Sequence, residues 1–288
     1  MNLQDFAEEI AAYISERGYE ASVEVVNKLN GNSYTGIVLN KYSGNAQPVL
    51  YLEEAYRSFQ DGTDMEDLVD EIIERYQMAR IDLDMEFFYD YEKIEKQIYI
   101  RLINFEKNEE LLKCVPHVRW HDLAEVFYYA MELGEDGRAT ILLYNHLLEM
   151  WGKTAEEVYE TAKANMERDF PGLLATASDL FEATMGIRVP ESGPIMYVLT
   201  IPGGHDGAAA ILYSTELRDL ADRLQSDLLI LPVSIHELIL VKDDQDEDQY
   251  EDYRMMVRNA NRTFIYPDEY LSDSLYLYDR EKDAVEMI

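Results

Sequence analysis

The chain has 288 residues, enough for one large core or two modest ones, and 47% apolar content with 11% aromatic residues excludes general disorder. Against 25 Lys and Arg stand 58 Asp and Glu, a formal net charge of −33. Such a field repels phosphate backbones and anionic lipid surfaces, so direct nucleic-acid and membrane-surface binding are disfavoured.

The plain reading of the charge is a protein kept dispersed by self-repulsion; the sharper one is a surface that imitates a nucleic acid or attracts a basic protein partner. Cys114 is the single cysteine, which excludes an intrachain disulfide and suits a reducing compartment. The N-terminus has no basic segment ahead of an apolar core, and no apolar run nears the roughly 18 residues of a membrane span. A cytoplasmic location is expected.

Leu3, Phe6, Ile10 and Ile14 form one helical stripe, closed by Gly18. Residues 22–29 and 34–42 are rich in β-branched side chains and flank Asn30-Gly31-Asn32, which predicts a hairpin. A second turn at Ser43-Gly44-Asn45 leads to a third strand at 48–52, and Thr63 with Glu66 reads as a capping box ahead of a helix carrying Leu68, Val69, Ile72, Ile73 and Tyr76.

Further strands are expected at 98–104, 125–133 and 139–144, the last two around Gly134-Glu135-Asp136-Gly137. A helix over 145–151 follows, and Thr154 with Glu157 caps another that ends at Pro171-Gly172. Two prolines and two glycines among residues 186–194 mark a linker. Beyond it lie strands at 196–201 and 208–213, a helix from Ser214 or Thr215, strands at 228–231 and 235–241, a helix opened by the acidic run 243–252, and a closing hairpin of 275–278 with 284–287. The predicted fold is α+β, mainly antiparallel sheets with packed amphipathic helices, in two α+β units, with segments 1–105, 106–190 and 191–288.

His117 and His121 are four apart, but no glutamate follows the first as a zinc-protease helix requires, and Pro116 opposes a helix. Asp244, Asp246 and Asp248 have calcium-loop spacing, yet Gln249 replaces the turn glycine and Met255 the final glutamate, so a solvated helix start is expected. Gly203-Gly204-His205-Asp206-Gly207 reads as a turn, since no Lys-Ser or Lys-Thr follows it as in a phosphate loop. No metal site and no cofactor is indicated.

Ser234-Ile235-His236-Glu237 brings a hydroxyl, an imidazole and a carboxylate together in sequence. Strand alternation puts Ser234 and His236 on one face and Glu237 on the other, so the three do not converge as a local triad. His236 is the best single candidate for a functional histidine, with Ser234 and Glu237 as weaker catalytic candidates and Thr200 and His205 as ligand-binding ones. The structural alternative is a bend after Pro232 whose polar side chains bond backbone groups.

The C-terminal half then becomes familiar: Met196-Tyr197-Val198-Leu199-Thr200, Gly207-Ala208-Ala209, Leu229-Ile230-Leu231-Pro232 with Ser234-Ile235-His236-Glu237, and Leu271-Ser272-Asp273 with Leu275-Tyr276. With Val49-Leu50-Tyr51-Leu52, Tyr56 and Trp151-Gly152-Lys153-Thr154-Ala155-Glu156-Glu157, these resemble a bacterial domain-of-unknown-function family, number 5688 in that series, over nearly the whole chain. The resemblance implies no activity, substrate or cofactor. Val233 stands where the family more often has serine, and Pro202-Gly203-Gly204-His205 replaces a more usual polar turn.

The expected function is a non-catalytic binding or regulatory protein. One alternative is a hydrolase or transferase using His236 with a distant carboxylate; the other is an acidic nucleic-acid mimic.

Overall fold

The computed structural model describes residues 1–40, 49–78, 85–132, 138–186 and 193–288. The expected turn at Ser43-Gly44-Asn45, the Gly134 loop and most of the 186–194 linker lie outside these residues. By its contacts the chain divides into two units, Met1–Phe88 and Tyr89–Ile288.

In the first unit the apolar stripe makes helix α1 (Leu3–Glu16), whose Phe6, Ala7, Ile10 and Ile14 are fully buried. Asn2 caps its start by accepting from the Asp5 N–H at 2.8 Å, and Gly18, with φ of 82°, follows its end. Strands β1 (Glu20–Asn27), β2 (Ser33–Asn40) and β3 (Val49–Tyr51) form an antiparallel meander. Asn30, in the left-handed region at φ 61°, turns the first hairpin. Helices α2 (Glu53–Gln60) and α3 (Met65–Met78) complete the unit, and Leu68, Val69, Ile72 and Tyr76 join α1 with Ile37, Leu39 and Leu52 in one core. The cap of α3 is Asp64, not Thr63: its Oδ1 accepts from the Glu66 N–H at 2.9 Å. Aspartate reaches that N–H as well as a hydroxyl does, and adds negative charge at the positive end of the helix.

The second unit begins with the short helix α4 (Tyr91–Ile94), strand β4 (Ile98–Asn104) and the short helix α5 (Glu109–Leu112). Strands β5 (His117–Trp120), β6 (Leu123–Glu132) and β7 (Arg138–Leu142) follow. Strand β6 is the spine of this sheet, paired with β4 on one edge and with β5 and then β7 on the other. Helix α6 (Asn145–Trp151) ends at Gly152 in the left-handed region, and α7 (Ala155–Asp169) starts with the expected capping box: Thr154 Oγ1 accepts from the Glu157 N–H, and Glu157 Oε2 from the Thr154 N–H.

A six-stranded antiparallel sheet closes the unit. It is built from β8 (Leu173–Thr176), β9 (Met196–Thr200), β10 (Leu228–Leu231), β11 (Leu238–Lys242), β12 (Tyr276–Asp279) and β13 (Ala284–Met287), in the order β13-β12-β10-β11-β9-β8. Helices α8 (Ala177–Met185), α9 (Glu216–Leu224) and α10 (Glu247–Thr263) connect its strands. The pairing of β8 with β9 spans the linker segment, so strands from either side of it share one sheet. The fold class is α+β with antiparallel sheets, as the sequence indicates.

Two elements depart from expectation. Residues 208–213 do not return as a strand; Gly207–Leu212 is a buried 3₁₀ helix. The strand expected from Ile235 begins at Leu238, because residues 234–237 form a bend. Asp246 caps α10, accepting from the Asp248 N–H at 3.2 Å. His117 lies on β5 rather than on a helix, and His121 follows it at φ 52°. Among the described residues no group of His, Cys, Asp and Glu is placed to hold a metal ion, and no helix is long and apolar enough to cross a membrane.

Candidate functional site

Pro232 ends β10, and the bend that follows satisfies its backbone with its own side chains. Ser234 Oγ accepts from the His236 N–H at 3.1 Å, so a buried hydroxyl is committed to a main-chain turn. The His236 carbonyl accepts from Thr200 Oγ1 at 2.8 Å, tying the bend to the end of β9. On the ring, Nδ1 accepts from the Asp206 N–H at 3.1 Å, which places the proton on Nε2, 3.4 Å from Glu269 Oε1. His205 is exposed and meets the His236 ring edge-on at 5.7 Å between centroids.

The structure therefore brings Thr200, His205, Ser234 and His236 into one cluster and leaves Glu237 exposed on its own. Two residues that sequence reasoning passed over hold this cluster. Asp206 takes the left-handed region at φ 61° and accepts a two-point bond from Arg101 on β4, with Nε to Oδ1 at 2.6 Å and Nη2 to Oδ2 at 2.8 Å. Burial works against the Arg101 charge, but Asp206 outweighs it and raises the guanidinium above its ordinary value. Gly207 completes the joint, since a Cβ there would stand 2.4 Å from the His236 carbonyl oxygen and 2.3 Å from Thr200 Oγ1. The polar atoms of the joint face one another: hydroxyl to carbonyl, ring nitrogen to N–H, guanidinium to carboxylate.

A different part of the same unit has the opposite character. Glu125 is the third residue of β6, opposite Leu102 of β4 and Val118 of β5, and is 3% exposed. Its Oε2 is buried without a hydrogen-bond partner among the described residues. Burial pushes this carboxyl up to about 7, with Lys163 of α7 pulling the other way. Glu125 and Lys163 line a cleft of about 490 Å³ whose other walls include Trp120, Tyr159, the Ile211–Arg218 segment and the β12–β13 turn. Burial, and then the Glu125 charge, push the Tyr159 phenol up to about 12.

Ser214, between the 3₁₀ helix and α9, also lines the cleft, and its Oγ is likewise buried without a partner among the described residues. Arg218 and Asp283 on the rim pair with each other, and Asp283 accepts from the Tyr278 hydroxyl. The cleft thus combines apolar and aromatic walls, a carboxyl whose proton is lost near neutral pH, a lysine, and two orphaned oxygens. Volumes of roughly 300–1,000 Å³ with a few convergent polar groups are those of small-molecule sites.

One sequence signal for Glu125 existed: it is the lone charge within the apolar run Leu123 to Met131. No local pattern could single out Ser214 or Lys163, which reach the cleft from distant segments.

The residues that carry the family resemblance are mostly buried apolar core, and several of the polar ones serve as joints. Ser272 and Ser274 donate to Asp122 Oδ2 at 2.6 and 2.9 Å, and the Tyr276 hydroxyl donates to its Oδ1. The Leu271 carbonyl accepts from Asn104 at 3.0 Å, and Asp273 accepts from Asn261 at 2.8 Å. The chain matches the model of DUF5688, a family of unknown function, over residues 3–280, and it belongs to that family. No curated protein matches the chain, and no solved structure does.

Proposed function

We propose that this member of DUF5688 is a non-catalytic binding protein that takes a small polar ligand in the Glu125 cleft. The observation that carries the reading is that Glu125 and Ser214 both line one cleft and each has a buried oxygen with no hydrogen-bond partner among the described residues. A buried acceptor without a partner costs about 1–3 kcal/mol, more when charged, and a bound ligand that donates to it recovers that cost.

Binding rather than turnover is favoured because neither oxygen is hydrogen-bonded to a base, so neither forms the nucleophile–base pair of covalent catalysis. His236 has no part in this reading. Its Nδ1 is engaged by the Asp206 N–H and its carbonyl by the Thr200 hydroxyl. A cytoplasmic location belongs to the same proposal, supported by Cys114 being the single cysteine.

The test is ligand-observed NMR of a library of polar metabolites against the wild-type chain and the Glu125→Gln and Ser214→Ala variants, with circular dichroism as the folding control. The expected result is at least one binder weakened roughly 10- to 100-fold by Glu125→Gln and less by Ser214→Ala, the range of one charge-assisted and one neutral hydrogen bond. Binders indifferent to both substitutions, or no binder at all, would overturn the reading. A ligand chemically changed on incubation with wild type but not with Glu125→Gln would overturn its non-catalytic part.

A further inference from the structure

Apart from the Arg218–Asp283 pair, the cleft presents one acid, Glu125, and one base, Lys163, neither in an ion pair among the described residues. Glu125 Oε2 has no hydrogen bond, and Lys163 acts on Glu125 through space while making no ion pair among the described residues. The rim charges Arg218 and Asp283 neutralise each other. A ligand bearing only a positive charge would satisfy Glu125 and be set against Lys163; one bearing only a negative charge would satisfy Lys163 and be set against Glu125. In a cleft whose carboxylate is already desolvated, such like-charge contacts are little screened.

We propose that the ligand is a free α-amino acid, its ammonium on the Glu125 carboxylate and its carboxylate on Lys163, beside Ser214. The inference rests on the reading of the cleft as a ligand site and adds the ligand's chemical class. An ammonium gives the desolvated Glu125 carboxylate a charged partner, and a carboxylate accepts from Lys163, so the two unpaired charges of the cleft are matched by the two ends of one small molecule. Trp120, Tyr159, Ile211 and Leu217 leave an apolar and aromatic wall for the side chain.

The experiment is isothermal titration of the full-length chain with each of the common L-amino acids. For the tightest binder it is repeated with the matching amine, which lacks the carboxylate, and the matching acid, which lacks the ammonium. Binding of the amino acid at least tenfold tighter than of either truncated compound is expected. Glu125→Gln should weaken the amino acid and the amine tenfold or more while leaving the acid within twofold; Lys163→Met should weaken the amino acid and the acid while sparing the amine. An amine or an acid that binds as tightly as the amino acid overturns the proposal. If no amino acid binds while other metabolites bind in a Glu125-dependent way, the ligand class falls and the cleft stands as a binding site. If nothing binds, both fall.

Discussion

Replacing Glu125 by glutamine tests the electrostatics of the cleft without any ligand. The wild-type carboxyl is raised from its ordinary value of 4.5 to about 7, first by burial, against the pull of Lys163. A folded state that holds a proton more tightly than the unfolded chain is stabilised by it at low pH. That contribution is present in full below 4.5 and is lost progressively as the pH rises to and through about 7. At about 1.4 kcal/mol per tenfold change in proton affinity, the whole effect is about 3 kcal/mol, of which roughly 2–3 kcal/mol falls between pH 5 and pH 8.

Glutamine keeps the shape and removes the titration. The other ionisable groups around the cleft, Lys163 and Tyr159 from α7, Tyr213 and Arg218 from the segment through α9, and Tyr278 and Asp283 from the β12–β13 hairpin, are unchanged, while the facing strand neighbours Leu102 and Val118 carry no charge. Both tryptophans, Trp120 and Trp151, lie in the Tyr89–Ile288 unit, so intrinsic fluorescence reports that unit. Melting curves at pH 5 and pH 8 should show the variant gaining on wild type by about 5–10 °C between the two pH values, at about 2–4 °C per kcal/mol for a unit of this size. Parallel pH profiles for the two proteins would refute a raised Glu125 carboxyl and remove the main electrostatic reason for singling out the cleft.

Two further outcomes concern the His236 joint. Asp206→Ala leaves the Arg101 guanidinium, largely buried between β4 and the 3₁₀ helix, without its two-point partner; a loss of about 3–5 kcal/mol is expected in urea melts followed by tryptophan fluorescence. A cost under about 1 kcal/mol, the range of an exposed pair, would show that the joint is solvated in solution. Gly207→Ala places a methyl group 2.4 Å from the His236 carbonyl oxygen and 2.9 Å from the Ile201 nitrogen, both main-chain atoms, and should cost about 1–3 kcal/mol in the same assay. An unchanged midpoint would mean that the 3₁₀ helix does not sit against the bend as the structure has it.

How much of this was legible follows from how local each signal is. The stripe of α1, the Thr154–Glu157 capping box and the closing β12–β13 hairpin are written within a few residues, and they appear where the sequence places them. The 3₁₀ helix at Gly207–Leu212 was not legible, because a short apolar run reads equally as a buried strand or a buried helical turn. What decides it is the close approach of Gly207 to His236, a contact made across 29 positions. The cluster at the Ser234 bend was visible as a set of polar residues, but its roles were not: Asp206 and Arg101 come from segments that no motif connects. Glu125 shows in sequence only as one carboxylate in an apolar strand; its orphaned oxygen depends on α7 and on the segment around Ser214.

The contrast between the two sites bears on what a family signature can identify. Thr154, Thr200, Ser234, Ser272 and Tyr276 all belong to the resemblance, and each has its polar atom matched to a carbonyl, an N–H or the Asp122 carboxylate. The joints at Thr200, Ser234, Ser272 and Tyr276, unlike the exposed cap at Thr154, tolerate little change, since removing one partner leaves the other unpaired where water cannot easily replace it. Residues that fix the frame are therefore a poor guide to what the frame holds. A ligand site in the absence of its ligand should show the reverse pattern: polar atoms that are buried and unmatched around an open volume. Glu125 and Ser214 line the cleft, each carries such an oxygen, and both stand outside the signature residues, so the function of this chain is to be sought at the cleft rather than at the Ser-Ile-His-Glu bend.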